Sequence, residues 1–333
     1  MFAGLFHRTR PAFQSPLFWY GVLATLVFVS SVIFAMKLSD AYCEYRFSLI
    51  SPFSRCRAGT SDTFMKGYEE FSLDLDNWID QQRSSGTISG AAVYFRDMEN
   101  GPWFGINEED DYMPASLFKV PVMMTILKEA ESDPAIMTQK LGVDRLPEMS
   151  TDTDDPNRTI VAGQYYSVEE LLKRMIMYSD NQSMDLLSKR LASIGHNEDI
   201  ARGLYRQLGL LPADDAQTVT VRVYASLFRI LYNARYLTAE DSQRALGILA
   251  GSDFKHAIVA GLPVEMKVAH KFGIRNIEGD RLLHDCGIIY HPVRPYLLCV
   301  MTRGNDIERS AQVIAEISRR VYSQVNQNII PSW

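Results

Sequence analysis

Twenty consecutive residues without a charge, Leu17 to Met36, constrain this chain more than any other feature. A helix rises roughly 1.5 Å per residue, so such a run matches the roughly 30 Å hydrocarbon layer of a bilayer. The run predicts one N-terminal transmembrane helix. A cleaved secretory signal is the alternative, but the run exceeds the roughly 7 to 15 apolar residues of such signals. Ser39-Asp40-Ala41 also makes a poor cleavage site. His7, Arg8 and Arg10 precede the run, while Lys37 is followed by Asp40 and Glu44, a weak bias toward a cytoplasmic N-terminus. The expected organisation is a short cytoplasmic N-terminus over residues 1–16, a transmembrane anchor over 17–36, a juxtamembrane connector over 37–63 and an extracytoplasmic domain over 64–333.

That domain has the makings of a packed core, since 47% of the 333 residues are apolar and 22% charged. A formal charge of −6, with no basic excess anywhere along the chain, argues against a nucleic-acid partner. Cys43 and Cys56 bracket a stretch of the connector that a disulfide would close in an oxidising compartment. Cys286 and Cys299 fall on two arms of a hairpin turning near Pro292 to Pro295 and read as buried thiols. No C-x-x-C pair supports a zinc ribbon or a thioredoxin-type site. Asp152, Asp154, Asp155 and Asn157 lack the spacing of a calcium loop, so the segment from Asp133 to Gln164 reads as a solvated excursion.

Periodicity orders the rest. Phe71, Leu75, Trp78 and Ile79 predict a helix ending near Arg83, and residues 91–95 and 103–106 predict two strands joined through Glu99-Asn100-Gly101-Pro102. A helical block follows, in which Val168, Leu171, Leu172, Met175 and Ile176 form an apolar stripe behind a Ser167 N-cap and Glu170. Leu186, Leu187 and Leu191 mark another helix, and Val223, Leu227, Ile230 and Leu231 a third. Strand character returns at 266–269, 287–290 and 296–301, before a last helix through Ile307, Ile314, Ile317 and Val321. Strands from both ends of the chain must pair to hide their apolar faces, which gives one antiparallel sheet with helices packed on it, an α/β (α+β) fold.

Ser116 precedes Lys119 by three residues at the start of a helical stretch, on one face and within hydrogen-bond reach. A serine hydroxyl becomes a nucleophile when a neighbouring amine takes its proton. Alone the pair also reads as a capping serine with a surface lysine. Tyr178-Ser179-Asp180-Asn181 closes a helix, and His270-Lys271-Phe272-Gly273 closes a strand. A second serine can relay a proton, an asparagine can hold an amide, and a second lysine can assist the relay and attract negative charge.

The ordered trio resembles the S-x-x-K, S-D-N and K-T-G set of class A β-lactamases and penicillin-binding proteins, over roughly residues 64–325. The resemblance implies a β-lactamase/transpeptidase-like fold, five antiparallel strands flanked by helices, with the site between sheet and helical block. It implies Ser116 as the acylated nucleophile, Lys119 as its base or base partner, Ser179 as proton relay and Lys271 as the group that orients the relay. Asn181 would bind the substrate amide, and the backbone N–H groups of Ser116 and Ile274 would form the oxyanion hole. No metal or other cofactor is required.

Two departures stand out. Phe272 occupies the place of a family threonine or serine between Lys271 and Gly273, removing a hydroxyl that contacts a substrate carboxylate, with Arg275 as the nearest compensating charge. Between Asn181 and Thr220 no E-x-x-L-N pattern supplies the deacylation glutamate, which leaves Asp214 and Asp215 as candidate water-holding groups on a shortened loop. Three readings remain open: a membrane-anchored active-serine hydrolase acting on β-lactams or related amides, a D-alanyl-D-alanine peptidase or transpeptidase acting on peptidoglycan stem peptides, and a tethered binding or sensing domain with little turnover.

Overall fold

Tyr296-Leu297-Leu298-Cys299-Val300-Met301 carries no polar alternation, the pattern of a strand covered on both faces, and it lies at the centre of the sheet. The computed structural model describes residues 16–46, 48–51, 68–99, 101–143, 158–196, 199–210, 218–277 and 279–329. Its elements, in chain order, begin with α1 (Pro16–Arg46) and α2 (Glu69–Ser84), followed by β1 (Gly90–Asp97), β2 (Trp103–Ile106) and β3 (Asp111–Tyr112). Next come α3 (Lys119–Ser132), β4 (Lys140–Gly142), β5 (Tyr165–Ser167), α4 (Val168–Met177), α5 (Asn181–Ser193), α6 (Ile200–Gln207), β6 (Val219–Thr220), α7 (Val221–Tyr232) and α8 (Ala239–Ala250). The chain closes with β7 (Val268–Ile277), β8 (Asp280–Ile289), β9 (Tyr296–Gly304) and α9 (Ile307–Ile329).

The five-stranded sheet runs β2-β1-β9-β8-β7 and is antiparallel throughout. One face carries Val93, Phe95, Leu298 and Val300 against α2 and α9, where Ile79, Ile314, Ile317 and Val321 are fully buried. The other carries Ala92, Ile288, Leu297 and Met301 against the helical block, whose α4 stripe (Leu171, Leu172, Met175, Ile176) is likewise sealed. Ser167 caps α4 as its sequence predicts, accepting a bond from the Glu170 N–H at 3.2 Å. The strands of the two small ladders, β3–β6 and β4–β5, are two or three residues long, too short to leave a period in the sequence.

Cys286 and Cys299 are joined in a disulfide, in place of the buried thiols that the sequence predicts. They are directly opposed in the β8–β9 ladder, with Cα atoms 4.0 Å apart and side chains on one face. Cys43 and Cys56 fall among side chains outside the described residues.

α1 spans 31 residues and covers the predicted N-terminal segment. Among the described residues no helix is long and apolar enough to cross a membrane, so the fold carries the helix of that prediction without establishing the span.

Within the predicted connector a short stretch is docked. Leu49 and Ile50 are buried in the helical-block core. The Leu49 N–H donates to Gln243 Oε1 at 2.9 Å, Tyr290 Oη donates to the Leu49 carbonyl at 2.7 Å, and the Ser51 N–H donates to the Tyr232 carbonyl at 2.6 Å. Burying an apolar side chain of this size contributes about 2 kcal/mol. Leu49→Ala is expected to lower the urea unfolding free energy by about 2 kcal/mol, whereas Leu73→Ala, at a position 64% exposed, leaves it unchanged. An unchanged midpoint for Leu49→Ala would show that the docked stretch adds nothing to the domain.

Candidate active site

Met113-Pro114-Ala115-Ser116 turns sharply into a 3-10 segment, Ala115–Phe118, that runs on into α3. Ala115 has φ +48°, a left-handed conformation that a side chain resists by about 1 kcal/mol or more. Two buried groups hold the turn in place. Tyr224 Oη donates to the Leu117 carbonyl at 2.9 Å, and His284 Nε2 lies 3.0 Å from the Met113 carbonyl. A carbonyl only accepts, so Nε2 carries the imidazole proton. Burial holds His284 down to about 4, with the bonds to backbone opposing that shift.

The turn places Ser116 half-buried and Lys119 wholly inside. Lys119 Nζ lies within hydrogen-bond distance of four oxygens, Ser116 Oγ at 3.0 Å, the Ser179 carbonyl at 2.6 Å, Ser179 Oγ at 3.1 Å and Asn181 Oδ1 at 2.6 Å. An amine removed from water is tolerable only with such oxygens around it. Because Oδ1 of Asn181 is taken by the amine, its Nδ2 is left as the outward donor.

Ser179, with φ +60°, breaks α4 from α5, and Asp180 caps α5 from a buried position. The Asp180 carboxylate accepts from Ser183 N at 3.0 Å, from Ser183 Oγ, and from Thr159 Oγ1 at 2.8 Å. Asp180 therefore builds the junction, and its neighbours Ser179 and Asn181 face the site.

Lys271 is fully buried on β7, and its Nζ donates to Ser179 Oγ at 3.0 Å and to the Phe272 carbonyl at 2.7 Å. The motif lies in the middle of β7, which continues to Ile277, whereas the sequence predicts that the strand closes at Lys271-Phe272-Gly273. β7 is the outer strand of the sheet, and the Ser116 turn packs over the face that carries Lys271 and Gly273. A Cβ at Gly273 would stand 3.1 Å from both the Pro114 carbonyl and the Ser116 nitrogen, so only glycine lets the two backbones meet. Ile274 and Arg275 follow with exposed side chains.

Ser116, Lys119, Ser179, Asn181, Lys271, Phe272 and Gly273 thus come together from three separate segments. Asp214 and Asp215 lie outside the described residues. Among the described residues no cluster of metal-ligating side chains occurs. Sequence reasoning missed His284, Tyr224 and Thr159, which brace the site from the inside. A buried histidine or tyrosine in an apolar strand or helix is indistinguishable by pattern from an ordinary core residue.

Known proteins resemble this chain in sequence and fold. A family model described as the beta-lactamase enzyme family matches residues 72–325. A beta-lactamase of Bacteroides uniformis is 24% identical over 271 residues, covering 75% of this chain and 90% of that protein. A mutant of PBP-A, solved as an acyl-enzyme complex with penicillin G, is 20% identical, with a TM-score of 0.66 over 79% of this chain and 99% of that one. The TLA-3 extended-spectrum beta-lactamase is 19% identical, with a TM-score of 0.67 over 76% of this chain and 98% of its own.

The brace on the turn titrates. Unfolded, His284 takes a proton below its usual 6.5, and folded it stays neutral down to about 4. The unfolded state therefore binds more protons across that window, and stability falls as pH drops from 6.5 to 4. Two to three units correspond to about 3 kcal/mol. In urea titrations the native protein should lose about 3 kcal/mol more over this window than His284→Gln, which keeps a donor for Met113. Equal losses would remove His284 as the cause.

Proposed function

The chain belongs to the beta-lactamase enzyme family, as a β-lactamase-like serine hydrolase, and we propose that it works by forming an acyl-enzyme on Ser116 with a β-lactam or related amide. The observation that carries this reading is Lys119 Nζ, which bonds Ser116 Oγ, Ser179 and Asn181 at once.

In the proposed reaction Ser116 Oγ attacks the amide carbonyl and its proton passes to the neutral amine of Lys119. The backbone N–H groups of Ser116 and Ile274 take the developing oxyanion, a contribution of about 3 kcal/mol per donor in well-studied acyl transfer. Ser179 Oγ then gives its proton to the leaving nitrogen and regains one from Lys119, which returns to the neutral amine, while Lys271 stabilises the negative charge that develops on that oxygen. Asn181 Nδ2 holds the substrate amide.

Release of the acyl group needs a base to activate water. Residues 182–219 contain no E-x-x-L-N pattern, and of the carboxylates in that segment Asp214 and Asp215 are the candidates on the shortened loop. Losing a positioned base costs about 10² to 10⁴ in rate. We therefore propose that acylation outruns hydrolysis, a balance shared with peptidases that pass the acyl group to an amine. With a labelled β-lactam, intact-mass spectra should show an adduct that persists for many minutes and is absent in Ser116→Ala. Matching spectra for the two proteins would overturn acylation at Ser116, and rapid decay of the adduct would overturn slow release. Release of terminal D-alanine from a stem peptide would favour the peptidase reading.

We also propose that α1 anchors the protein in the cytoplasmic membrane with the catalytic domain outside. The reading is supported by the uncharged run from Leu17 to Met36 and by the exposure of Trp19, Leu23, Leu26, Phe28, Ile33 and Phe34 on α1. The Cys286–Cys299 disulfide suits an oxidising compartment. A reporter active only in the cytoplasm, fused after Trp333, should stay silent while the protein sediments with membranes. A signal from that reporter would reverse the orientation.

A further inference from the structure

The wall of the site beside Lys271 is aromatic. Phe272 leaves β7 between Lys271 and Gly273, and its half-buried ring stacks on Phe254 with centroids 4.0 Å apart and planes 14° from parallel. Lys271 Nζ stands 4.0 Å from the Phe272 ring centroid. The same amine bonds Ser179 Oγ and the Phe272 carbonyl. Phe272 is thus held between an ammonium group and a second ring.

Phe254 is fixed as firmly as its partner. The segment after α8 is tied to the sheet through Asp285 on β8, whose Oδ2 accepts the Ile258 N–H at 3.1 Å while Oδ1 bonds His270 Nδ1 at 2.8 Å. Ser318 Oγ on α9 donates to the Ile258 carbonyl at 2.8 Å, and the Asp253 N–H donates to the Met177 carbonyl at 3.3 Å. His256 packs on Phe254 edge to face, 5.4 Å between centroids. Phe272 is therefore backed by a ring whose own segment is anchored to the sheet and to α9.

We propose that the Phe254–Phe272 stack is the specificity-determining wall of the Ser116 site, admitting acyl donors that are neutral beside the scissile amide and disfavouring those with a carboxylate there. This rests on acyl transfer at Ser116. A carboxylate brought to this wall meets ring carbons where it needs donors, and the Lys271 ammonium beyond is already engaged and shielded. A buried anion without a donor is strongly penalised, and a neutral ester or alkyl group in the same place is not. Lys271 works inward, on Ser179, as part of the proton relay.

The test uses penicillin G and its methyl ester, which differ in that charge and in one methyl group, with a fluorophosphonate as an independent label for Ser116. Second-order acylation rates are read from intact-mass time courses on the full chain. The native protein should react at least about 10-fold faster with the methyl ester, a difference of about 1.4 kcal/mol. Phe272→Thr should lower or invert that ratio, and Phe254→Ala should lower it in part. A general loss of packing would slow both probes alike and leave the ratio unmoved.

Penicillin G reacting as fast as its ester in the native protein would overturn the wall while leaving acyl transfer intact, and so would an unchanged ratio in Phe272→Thr. Restoration of the ester preference by Arg275→Ala in such a protein would assign the carboxylate to Arg275. Fluorophosphonate labelling with no reaction from either penicillin would also overturn the wall. Absence of all three adducts, as in Ser116→Ala, would instead overturn acyl transfer itself.

Discussion

The Lys119 amine is the point on which the rest of the structure hangs. It is fully buried, and its oxygen partners come from its own turn and from the α4–α5 junction some sixty residues away. A lysine stripped of water and left without those oxygens would cost several kcal/mol. The helical block can therefore close over α3 only when Ser179 and Asn181 are in place, so completing the core and completing the site are one event. The positive φ angles at Ala115 and Ser179 fit the same logic, since each is a local strain held by the contacts it makes possible.

The second constraint is the close approach of the Ser116 turn to the sheet. The turn lies over one face of β7, at a distance that only Gly273 permits. Side chains of a strand alternate between faces, and β8 exploits this at adjacent positions. His284 grips the Ser116 turn on one face, and Asp285 grips the segment of Phe254 and Ile258 on the other. Nucleophile and aromatic wall are thus referred to one strand, which the Cys286–Cys299 disulfide ties to β9.

Features with a local cause were legible in the sequence. The apolar stripe of α4 follows from its helical period, and its cap from Ser167 and Glu170. The Ser116–Lys119 pair is local in the same way. The disulfide was within reach, because Cys286 and Cys299 lie equally far from the centre of the turn between Pro292 and Val293, and a symmetric hairpin must oppose them. What the sequence hides is contact across the fold. Phe254 sits in an irregular segment with no sign of its partner, Leu49 reads as connector until α7, α8 and Tyr290 are assembled around it, and His284 reads as one residue of an apolar strand. The sequence closes β7 near Gly273 because Ile274, Arg275 and Asn276 are exposed, which breaks the apolar pattern without ending the ladder.

The network and the wall answer to different physical rules. Around Lys119 and Lys271 the two buried amines are satisfied by oxygens of Ser116, Ser179, Asn181 and Phe272, so removing Ser179 or Asn181 would deprive a buried amine of a partner, and the set changes only as a whole. The stem of Phe272 leaves β7 on the face opposite Lys271, toward the segment that Asp285 holds, and meets the network only through its ring and carbonyl. A side chain there can be exchanged for one of similar fit at the cost of local repacking alone. The choice of substrate can therefore shift at position 272 while the groups that make and break the ester on Ser116 stay where the buried amines require them.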